Sequence, residues 1–190
     1  MKIVEATEMV LSLASQQWGM VTTAQAKSAG VTSLMLGRLQ DKAILHRVRS
    51  GVYISTAVGW SAATEIRAQW LALEPKTMAA DRLTEIPSAV VSHESAAELH
   101  GIGDLETPRI RFTVPNRRQT RQPDVAFRTA QLTADDWMLI DSLPVTTPVR
   151  TLIDLARAGH EPDHLSDVVR DILHLRLATR AELSDVITDF

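Results

Sequence analysis

The sequence predicts an α+β fold in two parts: a winged helix-turn-helix, then a mixed α/β domain with a helical C-terminal region. Three observations predict it. Between Val21 and Ile54, two short helical patterns flank Gly30, and β-rich runs follow at Ile44–Val48 and Val52–Ile54. From Arg109 to Val114, polar and apolar residues alternate with the period of a half-buried strand. After Thr147 the apolar period lengthens: Val149, Leu152, Ile153 and Ala156 share one helical face, as do Leu165, Val168, Val169, Ile172 and Leu173.

Taken in order, Val4, Met9, Leu11, Leu13 and Ala14 read as a helix from about Ile3 to Ser15, closed by Gln17-Trp18-Gly19. Val21 reads as an extended residue and a third strand for a small sheet. Thr22 or Thr23 caps a short helix carrying Ala24, Ala26 and Ala29. Gly30 follows its end, where a left-handed backbone suits a residue without Cβ. Thr32 or Ser33 caps the next helix, with Leu36, Leu39 and Ala43 on one face and Ser33, Met35, Arg38 and Gln40 opposite. Arg49-Ser50-Gly51 joins the two β-rich runs. Helix, glycine turn, helix and basic-tipped hairpin is the order of a winged helix-turn-helix, whose second helix enters the major groove.

Charge supports this reading. Arg38, Lys42, Arg47 and Arg49 are gathered where Asp41 is the only acid between Val21 and Ile54, as a phosphate-tracking surface requires. The whole chain carries a formal charge of −3, so the basic character is local, which suits a regulator better than a packaging protein. The absence of cysteine excludes disulfides, thiol catalysis and Cys-ligated metal. The apolar runs are too short for a membrane span. Glu5 and Glu8 interrupt the N-terminal segment where a secretory signal would be apolar. A cytoplasmic protein is expected.

The composition changes after Thr56. We place the boundary at Ala57–Ser61, giving a DNA-binding domain over 1–57 and an α/β domain over 58–190. Ser61 reads as the cap of a helix to about Leu73, with Ile66, Trp70 and Leu73 as its stripe and Pro75 at its end. A second short helix is expected over Lys76–Leu83. Ala89-Val90-Val91 reads as a strand, Ser92 as the cap of a helix His93–His100, and Gly101 as its stop. Strands follow at Arg109–Val114, Asp124–Thr129 and Leu143–Thr146, with Asp135-Asp136-Trp137 as a turn or short helix. Thr147-Pro148 starts a helix that Gly159 stops, and Pro162 starts another. Thr179 and Glu182 form a capping box for a last helix that buries Leu183, Val186 and Ile187.

Several residues invite a catalytic reading. His93 and His100, with Glu94 and Glu98 close by, are seven apart and lack the i, i+4 histidine pair of a zinc helix. His100, near a helix end, suits a charged imidazolium facing the dipole. His160, His164 and His174 read as surface histidines, and Asp135-Asp136 as a helix-start pair. No nucleophile elbow, phosphate loop or dinucleotide fingerprint occurs. We expect no enzyme, no cofactor and no metal. Arg109, Arg111, Arg117, Arg118 and Arg121, with Arg128, form a basic ridge. It is either a solvated edge that discourages sheet pairing or a contact for nucleic acid or an acidic partner.

Three pieces in this order resemble the AbiEi-like antitoxins of type IV toxin–antitoxin systems: Gly19–Ile54, VVSHESAAELHGI running into IRFTVP (Val90–Pro115), and LPVTTPVRTLIDLA (Leu143–Ala156). The resemblance implies a first domain that binds repeats in its own promoter and represses it. It also implies a second domain that neutralises a nucleotidyltransferase-type toxin. The DNA-reading role then falls on Thr32, Ser33, Met35 and Arg38, with Arg47 and Arg49 in the wing. On the residue reading, Thr22, Thr23 and Gln25 would hold phosphates. The expected partners are promoter DNA with inverted repeats and the toxin, with no membrane. The two-part architecture also resembles the N-terminal portion of proteins ending in a very-short-patch-repair-like nuclease, but no acidic pair with lysine lies on a predicted strand here. The alternative reading is a stand-alone winged-helix regulator whose second domain senses a ligand or dimerises.

Overall fold

The computed structural model describes residues 2–83, 85 and 87–187. The chain divides into two compact units, Met1–Thr84 and Glu85–Phe190. The first unit therefore extends beyond the composition change at Thr56 and takes in the following helix and loop.

The first unit contains α1 (Ile3–Ser15), β1 (Met20–Thr22), α2 (Thr23–Ser28), α3 (Ser33–Asp41), β2 (Leu45–Arg49), β3 (Val52–Ser55) and α4 (Ala63–Leu73). The strands form an antiparallel sheet in the order β1-β3-β2. Its core joins Ala6, Val10 and Ala14 of α1 to Val21, Ala26, Val31, Leu36, Leu39 and Leu45. The buried stripe of α1 thus differs from the expected one, and Val4 and Met9 are exposed at 62% and 43%. The small alanines let α1 pack closely on its neighbours, and a scan for large apolar residues passes over them.

Polar bonds explain why the unit continues past the wing. Gln17 Nε2 donates to Gln25 Oε1 at 2.7 Å, and Gln25 Nε2 donates back to Gln17 Oε1 at 3.2 Å. Gln25 Nε2 also donates to the Thr77 carbonyl at 2.9 Å, and Ala79 N donates to Gln17 Oε1 at 3.1 Å. Thr22 Oγ1 donates to the Pro75 carbonyl. Farther along, the Arg82 guanidinium lies 3.4 Å from the Trp70 ring centroid and donates to the Trp70 carbonyl at 2.6 Å. The expected helix over Lys76–Leu83 is reduced to a 3₁₀ turn, Ala80–Arg82, because these backbone groups bond to side chains of the winged unit.

The second unit contains β4 (Val90–Val91), α5 (His93–His100), β5 (Ile110–Val114), β6 (Val125–Thr129), β7 (Trp137–Ile140), β8 (Leu143–Thr146), α6 (Pro148–Arg157), α7 (Pro162–His174) and α8 (Arg180–Ile187). The mixed sheet has the order β6-β5-β4-β8-β7. β5 and β6 are parallel, as are β4 and β8; β4–β5 and β7–β8 are antiparallel. The turn expected to begin at Asp135-Asp136-Trp137 is a 3₁₀ turn over Ala134–Asp136, and Trp137 opens β7. β7 becomes a strand because Asp141 and Ser142, with φ of +46° and +65°, fold it back on β8 through a tight hairpin.

Helices α5, α6, α7 and α8 bury Ala97, Leu152, Leu155, Val168, Ile172 and Leu183 together with Ile102. Val186 packs against this core, and the Ile187 side chain lies outside the described residues. Thr147 caps α6 through Arg150 N, with Pro148 in its first turn, and Thr179 and Glu182 bond reciprocally at the start of α8. Gly103 has a φ of +64°, and a Cβ there would meet Val168 Cγ2 at 2.7 Å. Gly103→Ala is therefore expected to cost about 1–3 kcal/mol through strain and the crowded contact, read as a lower midpoint in chemical denaturation of the full chain.

Candidate nucleic-acid interface

The α2–α3 turn is fixed locally. Gly30 takes a φ of +82°, and Val31 N donates to the Ala26 carbonyl at 2.8 Å. Thr32 Oγ1 accepts from Met35 N at 3.2 Å and starts α3. Burial of Leu36 and Leu39 sets the rotation of the helix. Ser33, Leu34, Arg38 and Asp41 consequently face outward and are exposed. Met35 is half-buried against the core, so it sits at the flank of α3 and not on the base-reading face expected for it. Ala43 has left the helix, with a φ of +53°.

Leu34 is the residue that the sequence reading missed. It is 68% exposed. At 100° per residue it lies nearly opposite the Leu36–Leu39 seam, and that angle could have identified it. Gly37 shares the outward stripe with Leu34 and Arg38 at i+3 and i+4. An added Cβ on Gly37 would have nothing within 4 Å. Glycine inside a helix is disfavoured against alanine by roughly 0.5–1 kcal/mol.

The residues expected to hold phosphates fare differently. Thr22 is fully buried and Gln25 is 4% exposed. The Thr22 hydroxyl accepts from Gln25 N at 3.0 Å as the cap of α2, and the Gln25 amide is committed to Gln17, Thr77 and Thr22 N. Both side chains serve the fold and neither faces a phosphate. Thr23 is half-buried, and its N–H donates to the Gly51 carbonyl at 2.8 Å.

The wing separates its two arginines. Arg47 pairs with Tyr53 and Arg49 with Val52, so a bulge at Val48 interrupts the ladder. Tyr53 and Val52 are consecutive, so the arginines opposite them lie on opposite faces of the hairpin. Arg47 is exposed, and its Nη2 donates to Ser50 Oγ at 3.3 Å. Arg49 has a side chain only 14% exposed and meets Glu65 of α4 at 3.3 Å. It is a strut between wing and helix, which corrects its expected place beside Arg47 on the outer surface.

In the second unit the arginine ridge is incomplete. Arg109, Arg117, Arg118, Arg121 and Arg128 are exposed, with Arg118 5.4 Å from the Phe127 ring centroid. Arg111 turns away: its Nε meets Glu94 Oε2 at 2.6 Å. Glu94 also bonds His160 Nε2 at 2.9 Å. His160, expected on the surface, is thus half-buried and ties the segment after α6 to α5. Close by in sequence, Arg150 bridges Asp154 at 2.9 Å and Asp136 at 3.1 Å. Burial alone would raise the Asp136 pKa, but bonds from Thr133 and Arg150 outweigh it and hold the carboxyl below its ordinary value.

His93 bonds Ser92 Oγ through Nδ1 at 2.9 Å and takes a left-handed φ of +55°. Burial lowers its pKa; Asp154 and Glu94 oppose that shift, whereas Arg111 and Arg128 add to it. His100 Nε2 donates to the Thr146 carbonyl at 2.7 Å, and burial lowers its pKa despite that bond. Burial thus disfavours the imidazolium expected of His100 from its position at a helix end. Among the described residues, no three His, Asp or Glu side chains are grouped as for a metal ion.

A winged helix-turn-helix with an outward α3, joined to a mixed α/β unit, defines a two-domain transcriptional regulator. The family comparisons are more specific. Residues 8–56 match the model described as "Transcriptional regulator, AbiEi antitoxin", and residues 88–189 match "AbiEi antitoxin C-terminal domain". The chain belongs to the AbiEi antitoxin family of toxin–antitoxin systems. The crystal structure of the RV2827C protein from Mycobacterium tuberculosis is similar in fold, with a TM-score of 0.55 and 18% identity, covering 97% of this chain and 71% of that one. No curated protein sequence matches the chain. Among the described residues, no helix is long and apolar enough to cross a membrane.

Two outcomes follow for the buried network. Glu94→Ala leaves Arg111 and His160 without their shared carboxylate and is expected to cost about 3–5 kcal/mol in urea denaturation. The depressed pKa values of His93 and His100 mean that the unfolded chain binds more protons below its value near 6.5. Their stabilisation is complete above that value and lost as pH falls through the lower native values. Thermal midpoints are expected to fall as pH drops below about 6.5, and the double substitution His93→Gln/His100→Gln should flatten that decline.

Proposed function

We propose that the protein is the antitoxin of a type IV system. Its first unit binds inverted repeats in its own promoter and represses transcription. Its second unit opposes a nucleotidyltransferase-type toxin, and neither unit performs catalysis. The observation that carries this reading is the succession, in one chain, of a winged helix whose α3 turns Arg38 and Ser33 outward and a domain of the antitoxin family.

In this reading Arg38 and Ser33 meet base edges, while Thr32 sets the start of the reading helix. Thr23 and Arg47 lie toward the phosphates, and Arg49 holds the wing in place. The exposed arginines 109, 117, 118 and 121 are offered to a partner or to nucleic acid. The cytoplasm is the compartment where such a regulator meets its promoter.

A second reading rests on one observation. A half-open cavity of about 560 Å³ lies between α6 and α7, lined by Leu152, Ala156, His160, Pro162, Leu165, Ser166 and Val169. This favours a ligand-sensing regulator, in which a small molecule changes operator affinity and no toxin is opposed.

Growth rescue separates the two. Cells expressing the neighbouring nucleotidyltransferase should recover with the full chain. They should also recover with its Arg38→Ala variant, which is expected to lose about 1–3 kcal/mol of operator binding and to discriminate less between sequences. Failure of the wild-type chain to rescue growth, with operator binding intact, rejects the antitoxin role. Arg47→Ala should weaken specific and random duplexes alike and reduce the salt slope by about one. An unchanged slope removes the wing from the interface.

A further inference from the structure

The outward stripe of α3 combines two features that the fold does not explain. Among the described residues, Leu34 is the most exposed of the large hydrophobic side chains, at 68%. Gly37 occupies a helix interior where alanine would be favoured, although, among the described residues and apart from its chain neighbours and its own helix backbone, nothing lies within 4 Å of the place its Cβ would fill. The helix does not need glycine for its backbone, since Gly37 is absent from the positive-φ positions. It does not need glycine for packing either, since the space is open.

A missing side chain on an outward helix face lets another surface come close to the backbone. The neighbouring positions say which kind of surface. Arg38 and Lys42 are exposed on and just after the same helix, and Arg47 on the wing. They suit a polyanion. The apolar group available within the major groove of such a partner is the C5-methyl of thymine.

We propose that Gly37 is the point of closest approach of α3 to duplex DNA, and that Leu34 reads a thymine methyl one turn earlier on the same stripe. This rests on the DNA-binding reading above and adds two specificity-determining residues to it. Arg38, between these positions and the end of the helix, supplies the hydrogen-bonding contact. Gly37 lets the helix descend far enough for Leu34 to touch the methyl group.

The test uses the full chain and duplexes enriched from a random pool by the wild-type protein. Gly37→Ala should raise the thermal midpoint by a few degrees while lowering affinity for the enriched duplex on the order of tenfold. A purely structural glycine would not give opposite signs for stability and binding. Leu34→Ala should lower affinity about fourfold, the value of one buried methyl-sized group. Replacing thymines one at a time by deoxyuridine should reveal a position where the wild type loses about fourfold and Leu34→Ala loses nothing further.

Wild-type affinity in Gly37→Ala, or uridine effects unchanged in Leu34→Ala, overturns the proposal while leaving DNA binding in place. Altered oligomeric state in both variants with unchanged duplex affinity also overturns it, and assigns the stripe to contact between copies of the chain. Failure of the wild type to enrich any sequence rejects the DNA reading itself.

Discussion

Two glutamine side chains hold the first unit together. Gln17, just beyond α1, and Gln25, within α2, exchange amide hydrogen bonds inside the protein and bond to backbone groups of residues 77 and 79. Buried amides are costly unless their donors and acceptors are met. The pair therefore constrains three segments at once: the end of α1, the start of the helix-turn-helix and the chain leaving α4. The position of α3 depends on α2, and α2 is held by this pair. The basic face is thus supported from behind by neutral polar groups, where charge would face a larger desolvation penalty.

The same pair explains what could be read from the sequence and what could not. The helix-turn-helix was legible because its signals are local: Gly30 in a left-handed turn, Thr32 as a cap, and Leu36 and Leu39 as a seam. The helices after Thr147 were legible for the same reason, since Thr147-Pro148 and Thr179–Glu182 act within one turn. The extent of the first unit was not, because a glutamine bonding to a backbone 52 residues away leaves no periodic trace. Thr22 and Gln25 looked like exposed polar residues near a basic surface. Only the neighbouring segment reveals that they are interior.

The candidate site shows a parallel division. Arg38 was visible from composition and helical spacing. Leu34 has the same spacing, but an apolar side chain in an amphipathic helix carries the same signal whether it faces the core or the solvent. Arg111 was assigned to an outward ridge because alternate strand residues share a face. The buried carboxylate of Glu94 draws its guanidinium inward, and that choice depends on a helix packed over the strand, which the strand's own sequence does not contain.

On the wing, one additional residue sorts two identical side chains into different environments. Without the bulge at Val48, alternation would place Arg47 and Arg49 on one face. With it, one meets water and the other meets Glu65. Surface charge and mechanical support are thereby assigned to positions two residues apart that can vary separately over evolutionary time. Substitution at 47 changes the outer charge and leaves the strut intact. Substitution at 49 alters the strut and leaves the outer charge in place. A lineage can change the wing's outer charge without rebuilding the hairpin or touching α3.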